Sequence, residues 1–243
     1  TSNTPGMKDD RASCLLLDKR GDLWAGTYGA TLLKREGQVF RAQDLGTALP
    51  SRKVNALAED GQGDLWVAIE DNGLVRFHNG QVEKFNTASG LASDNVRVLM
   101  CDDGGRLWAV AEGQIRIFEA GGWRAPSGLS PAFPKVRSIS QARDGGLWIN
   151  TTVGLTDSQD PRVYKLKDGQ WSVQLEPYPW AKDSQQFQRL ALFEDQSGRI
   201  WCATTGGVFF HTPGGSWQRL LSVAPWVQVE VLCLTEHENG LLW

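Results

Sequence analysis

Three histidines, four cysteines and a scatter of carboxylates are the side chains of this 243-residue sequence that could carry acid–base, nucleophilic or metal chemistry. Such chemistry needs its groups gathered, and the motifs that gather them have short fixed spacings. His78, His211 and His237 lie in or beside different turns and form no His-x-x-x-His pair. Cys14, Cys101, Cys202 and Cys233 contain no Cys-x-x-Cys pair, which speaks against zinc or a redox motif. All four fall in expected strands and read as buried free thiols acting as small hydrophobes, with a disulfide as the alternative. Asp60-Gly61-Gln62-Gly63-Asp64 has the outline of an oxygen-ligand loop but lacks the carboxylate series calcium needs, and reads as a turn. There is no Gly-x-Ser-x-Gly and no phosphate loop in a strand–helix context. The sequence therefore predicts no catalytic constellation, no metal and no cofactor.

What remains is binding chemistry. Arg11, Arg52, Lys53, Arg97, Lys135, Arg137 and Arg189 recur just before or at the start of expected strands. Gathered at a concave mouth, they would favour an anionic ligand although the formal net charge is −3. Tyr28, Asp71, Asn72, Trp180 and Trp226 could join them, the aromatics stacking on sugar faces. Lys53, Arg97, Arg137, Arg189, Tyr28, Trp180 and Trp226 are the expected ligand-binding residues. Trp180 and Trp226 stand in long connections, within Pro-Tyr-Pro-Trp (177–180) and Ala-Pro-Trp (224–226), as either packing lids or ligand platforms.

The elements that must position these residues are repeats. Gly-x-Leu-Trp, or Gly-x-Ile-Trp in one copy, occurs six times, ending at Trp24, Trp66, Trp108, Trp148, Trp201 and Trp243, at intervals of 42, 42, 40, 53 and 42 residues. The repeats account for much of the unusual content of 27 Gly and 11 Trp. A period near 42 marks a repeat architecture. In the clearest copy, Val54–Ala58, Leu65–Ile69, Leu74–Phe77 and Gln81–Phe85 read as four short strands, separated by turns at 60–63, 70–73 and 78–80. A turn Asp precedes the Trp by six residues in four copies, as Asp18, Asp60, Asp102 and Asp195. The fourth copy has Ala142 there, with Asp144 nearer the Trp, and the sixth has His237. Four antiparallel strands per repeat with a Trp at one fixed place predict an all-β propeller, the Trp filling the space between neighbouring sheets.

The expected divisions are the tail of a preceding blade at 1–13, whole blades at 14–49, 50–91, 92–131, 132–182 and 183–226, and part of a sixth at 227–243. A half-blade leaves sheet edges unpaired, so five whole blades and part of a sixth read as a window from a longer propeller. The near-neutral charge argues against nucleic acid as a partner. No apolar run reaches the roughly 18 residues needed to span a bilayer, so no membrane contact is expected of this segment.

Residues 54–68 (VNALAEDGQGDLWVA), Asn72-Gly73-Leu74, the connection 89–96 and Gly21-Asp22-Leu23-Trp24-Ala25-Gly26-Thr27 resemble the two-component regulator propeller repeat. The resemblance covers essentially the whole chain and implies that the longer propeller has about seven blades. It implies a bacterial sensor module, periplasmic or extracellular and non-catalytic, that binds an oligosaccharide or small anionic ligand and signals to an output domain elsewhere, with a homodimer formed through the full-length protein. The alternatives are a protein-binding propeller scaffold and a lyase-type propeller enzyme, since streptogramin lyases carry a related Gly-x-x-Trp repeat.

Overall fold

The computed structural model describes residues 11–29, 31–43, 52–78, 80–129, 135–152, 162–176, 178, 191–204 and 207–220. They form five four-stranded antiparallel sheets in simple up-and-down order. Blade 1 is β1 (Ala12–Leu17), β2 (Leu23–Thr27), β3 (Leu32–Glu36) and β4 (Val39–Ala42). Blade 2 is β5 (Val54–Glu59), β6 (Leu65–Ile69), β7 (Leu74–His78) and β8 (Gln81–Phe85). Blade 3 is β9 (Val96–Cys101), β10 (Leu107–Ala111), β11 (Gln114–Glu119) and β12 (Gly122–Arg124). Blade 4 is β13 (Lys135–Gln141), β14 (Leu147–Thr152), β15 (Val163–Lys167) and β16 (Gln170–Gln174). Blade 5 is β17 (Ala191–Glu194), β18 (Ile200–Thr204), β19 (Gly207–His211) and β20 (Trp217–Arg219). The chain divides into two compact units, Thr1–Pro126 with blades 1 to 3 and Ser127–Trp243 with blades 4 and 5.

The first hairpin of each blade is set by its turn. In blade 2 the Gly63 N–H donates to the Asp60 carbonyl at 3.2 Å, and Gly63 takes a φ of +86°, a conformation that costs glycine little. Asp60 Oδ1 accepts the Gln62 and Asp64 N–H groups at 2.9 and 3.1 Å, and Oδ2 accepts the Trp66 indole N–H at 2.8 Å. One carboxylate thus closes the turn and satisfies the buried indole. Asp18, Asp102 and Asp195 hold Trp24, Trp108 and Trp201 in the same way, at 3.0, 2.9 and 2.7 Å. This is why Asp must stand six residues before Trp. In blade 4, Asp144 does not replace the missing group. It pairs with Lys165 and Lys167, while Trp148 donates to Glu194 of blade 5 at 2.6 Å.

Each of these five Trp rings also carries a cation on its face. Lys34, Arg76 and Lys165, directly opposite the Trp on the third strand, lie 5.3, 5.3 and 4.6 Å from the ring centroids of Trp24, Trp66 and Trp148. In blades 3 and 5 the third strand places Ile117 and Phe210 opposite the Trp. There the cation comes from two residues before the Trp, as Arg106 at 5.5 Å and Arg199 at 5.3 Å. Every one of these cations also binds a carboxylate.

The Trp side chains pack between sheets. Trp66 is fully buried against Phe85 of its own blade and against Phe118 and Trp123 of blade 3, at ring distances of 5.0, 4.8 and 5.7 Å. Trp24 packs on Leu57, Val67 and Val75 of blade 2, and Trp148 on Leu192, Ile200 and Phe209 of blade 5. The sheets approach closely enough to require glycine at Gly26, where an added Cβ would lie 2.5 Å from Val54 Cγ1 and 2.7 Å from Cys14 Sγ.

Among the cysteines, Cys202 is fully buried and burial pushes its thiol well above the ordinary range, but Cys14 and Cys101 are only half-buried. Cysteine on these strands therefore shares interface space with solvent-facing neighbours, and the expectation of uniform burial fails for two positions. Cys233 lies outside the described residues. Connection 86–95 contains a short 3₁₀ turn, Thr87–Ser89, capped reciprocally by Asn86 and Ser89. Periodicity alone does not reveal this turn.

Candidate ligand face

Contacts between consecutive blades within each unit run through their first two strands, so the first strand is the inner edge of each blade: β1 lies on β5, β5 on β9, and β13 on β17. The end of the blade where the first strand starts and the second ends carries the expected binding residues. Tyr28 donates its backbone N–H to the Arg11 carbonyl at 3.1 Å, and Glu70 donates likewise to Lys53 at 2.9 Å. These bonds fix the approach segment of each blade against its second turn.

Within this frame Tyr28 is 43% exposed, and two cations converge on it. The Arg11 guanidinium carbon and Lys53 Nζ each lie 4.8 Å from its ring centroid. Lys53 comes from blade 2 and reaches across to blade 1, and no carboxylate is paired with it among the described residues. Two positive charges drawn to one ring repel each other, so an anion placed between them is stabilised by both. Arg52 differs from Lys53 in being ion-paired with Asp71 at 2.7 Å, both side chains staying about half exposed.

Beta bulges shape the inner edge. The register of the first hairpin shifts at one residue in four blades, leaving Ser13, Asn55, Arg97 and Arg137 as the extra residue. A bulge re-aims the side chain it carries. Ser13 Oγ donates to the Val54 carbonyl at 2.6 Å, and Asn55 Nδ2 donates to the Val96 carbonyl at 3.0 Å, each tying one inner strand to the next. Arg97 occupies the same place in blade 3 and is exposed, without a hydrogen bond or ion pair among the described residues. Lys135 and Arg137 are exposed on β13 in the second unit. Arg189, Trp180 and Trp226 lie outside the described residues. The structure thus gathers Arg11, Tyr28 and Lys53, and places Arg97 at the same end of the third blade. Near Trp180, Tyr178 is buried and bonds β15 and β16: its hydroxyl donates to the Gln174 carbonyl at 2.6 Å and accepts the Val163 N–H at 3.1 Å.

One pairing of titratable groups escapes the sequence. His78 Nδ1 lies 2.7 Å from Asp64 Oδ2, which also accepts the Arg76 guanidinium. His78 ends the third strand of its blade, remote in the sheet order from the inner edge. Among the described residues, no three His, Cys, Asp or Glu side chains stand together as a metal site would need. No helix among them is long and apolar enough to cross a membrane.

Residues 6–29 and 48–71 match the two component regulator propeller family. These two segments are similar to the two component regulator propeller repeat. Similar solved structures agree on the fold. The extracellular domain of the putative hybrid two component system BT3049 from B. thetaiotaomicron is 19% identical with a TM-score of 0.74, over 96% of this chain and 32% of that one. The corresponding domain of BT4673 from the same organism is 18% identical with a TM-score of 0.70, over 98% and 34%. Virginiamycin B lyase from Staphylococcus aureus is 15% identical with a TM-score of 0.72, over 97% and 78%. The chain spans about a third of the length of the two-component system domains it resembles. No curated protein matches the sequence. The repeats and these likenesses make the fold a β-propeller.

Proposed function

We propose that this propeller is the ligand-binding sensor module of a bacterial signal-transduction protein. It takes a glycan or small anionic ligand at the face carrying Tyr28, Lys53, Arg11 and Arg97, and passes the signal to an output domain outside this chain. The reading is non-catalytic and places the module in the periplasm or outside the cell. The observation that carries it is the convergence of Arg11 and Lys53 on the exposed Tyr28 ring. An aromatic face beside two converging cations suits a sugar ring bearing a carboxylate. The two-component regulator repeats and the likeness to extracellular domains of two-component systems support the compartment and the role. A lyase reading draws on the likeness to virginiamycin B lyase, but the His78–Asp64 pair is remote from this face.

The test is a thermal-shift titration with uronate-containing oligosaccharides, their neutral counterparts and simple organic anions. Binding to the folded state raises Tm by mass action. The expected result is a saturable rise with acidic sugars that disappears in Lys53→Ala and in Tyr28→Ala. Absence of any shift, or a shift untouched by both substitutions, would sink the reading and favour a protein-binding scaffold.

A further inference from the structure

The fourth residue after the motif Trp holds one fixed place on the ligand face. It is Tyr28 in blade 1, Glu70 in blade 2 and Glu112 in blade 3. Register confirms the equivalence. Each directly follows the last residue of its second strand, Thr27, Ile69 or Ala111, and these pair with the strand starts Ala12, Val54 and Val96. Tyr28 receives the ammonium of Lys53, the residue just before Val54. The same place before Val96 is held by Asn95, which carries no charge.

Glu70 is half-buried and Glu112 exposed, and among the described residues neither carboxylate has a hydrogen bond or an ion pair. Cations stand close by. Glu70 donates its backbone N–H to the Lys53 carbonyl at 2.9 Å, yet Lys53 sets its ammonium over Tyr28 and not on the Glu70 carboxylate. Arg97 and Glu112 flank the Val96–Ala111 pair and form no ion pair either. The turns do not select these glutamates. The Glu70 bond to Lys53 uses only backbone, and Glu112 takes a φ of +49°, where glycine, asparagine or aspartate serves a turn better. Cations gathered on Tyr28, with open carboxylates at the same place on the next two blades, make a face complementary to a ligand of both signs. A ligand that is only anionic gains from the cations and is repelled by the glutamates.

We propose, resting on the binding role given above to Tyr28, Lys53 and Arg11, that this face takes a sugar carrying both a carboxylate and a free amine. The carboxylate lies between Arg11 and Lys53 beside the Tyr28 ring. The ammonium faces Glu70, and Glu112 adds to the field that holds it. The ligand class thereby narrows from anionic sugars in general to zwitterionic amino sugars.

Calorimetric titration of the full-length protein at low ionic strength tests this. Muramic acid bears both groups, N-acetylmuramic acid keeps only the carboxylate, and glucosamine keeps only the amine. Muramic acid is expected to bind about fivefold tighter than N-acetylmuramic acid, as two exposed ion pairs together would give. Glu70→Gln combined with Glu112→Gln should cut the preference below about twofold, weakening muramic acid and strengthening N-acetylmuramic acid. Melting temperatures without ligand show whether each variant is folded. Equal binding of the two acids, or a preference that the double substitution leaves intact, would overturn the proposal. If that binding is lost in Lys53→Ala, the binding role of the face still stands. If neither acid binds, or Lys53→Ala changes nothing, the binding role fails and the proposal with it.

Discussion

Trp148 and Glu194 belong to neighbouring blades, yet the indole N–H donates to the carboxylate at 2.6 Å. Glu194 also accepts the Arg143 backbone N–H at 3.1 Å, so one side chain closes two donors of the blade before it. Glu59 makes the second of these contacts to Lys19 at 2.6 Å but leaves Trp24 to Asp18. Blade 4 has thus moved the acceptor for its indole from its own turn to the next sheet.

That relocation gives a rescue prediction. Glu194→Ala strands the Trp148 indole and should cost about 1–3 kcal/mol, the usual penalty for a buried donor left unmade. Adding Ala142→Asp restores the arrangement of the other blades and should recover more than half of the loss. A double-mutant cycle by denaturant unfolding measures this; simple additivity of the two effects would refute the exchange.

Arg76 supports a second prediction. Its guanidinium donates to Asp64 through Nε at 3.0 Å and through Nη2, and it lies over Trp66 and Phe118. Arg76→Met keeps the apolar stem but leaves Asp64 paired with His78 alone. The expected cost is about 3 kcal/mol, as for one half of a largely buried ion pair. Arg76→Lys should recover part of it, because an ammonium cannot supply the planar fork. Chemical denaturation midpoints at constant m-value report both effects.

Acid should unfold the protein late. Burial by itself would raise the carboxyls of Asp18 and Asp195, but hydrogen bonds from Trp24 and Trp201 and from backbone N–H groups outweigh it and hold both below the usual range. For Asp144 burial is again opposed, by Lys165, Lys167 and the Gly146 N–H, which hold it at about 2. Groups lowered in the folded state bind fewer protons there than in the unfolded chain. Their stabilisation is complete above an unfolded value of about 3.9 and is lost as pH falls toward 2. Tm measured from pH 7 downward should stay nearly level to about pH 4 and then fall. Asp195→Asn should flatten that fall.

Gly26 tests the closeness of the blades. Gly26→Ala puts a methyl group against Val54 and Cys14, and should destabilise by about 1–3 kcal/mol through overpacking. Combining it with Val54→Ala, which removes the Cγ1 at 2.5 Å but keeps the Cβ at 2.7 Å, should relieve part of the clash and give a smaller loss than the sum. Equilibrium unfolding of the three variants decides it.

Local chemistry was legible in the sequence and long-range chemistry was not. The spacing of Leu65–Ile69 and Gln81–Phe85 matches β6 and β8 because period-2 burial and Gly turns are written within a few residues. The turn Asp could be found at a fixed offset, but its second task, accepting the indole, appears only when the hairpin brings the two together. Glu194 stands 46 residues from the Trp148 it serves, so no local window could assign it. The candidate site divides the same way. Lys53 and Tyr28 were both singled out, while their mutual contact across two blades depends on how the first strands pack. Arg52 looked equally open, and its pairing with Asp71 needed a turn to carry that carboxylate across.

The two sources of the cation on the tryptophan face have a consequence for reading the repeat as a family of columns. Asp22 and Asp64 stand where Arg106 and Arg199 stand in other blades, while Lys34 and Arg76 stand where Ile117 and Phe210 do. Each column taken alone looks indifferent to charge, and the one two residues before the Trp even to its sign. Taken as a pair they are complementary. A consensus blade assembled column by column would give some tryptophans two cations and others none, so inheritance at these positions has to be by couples.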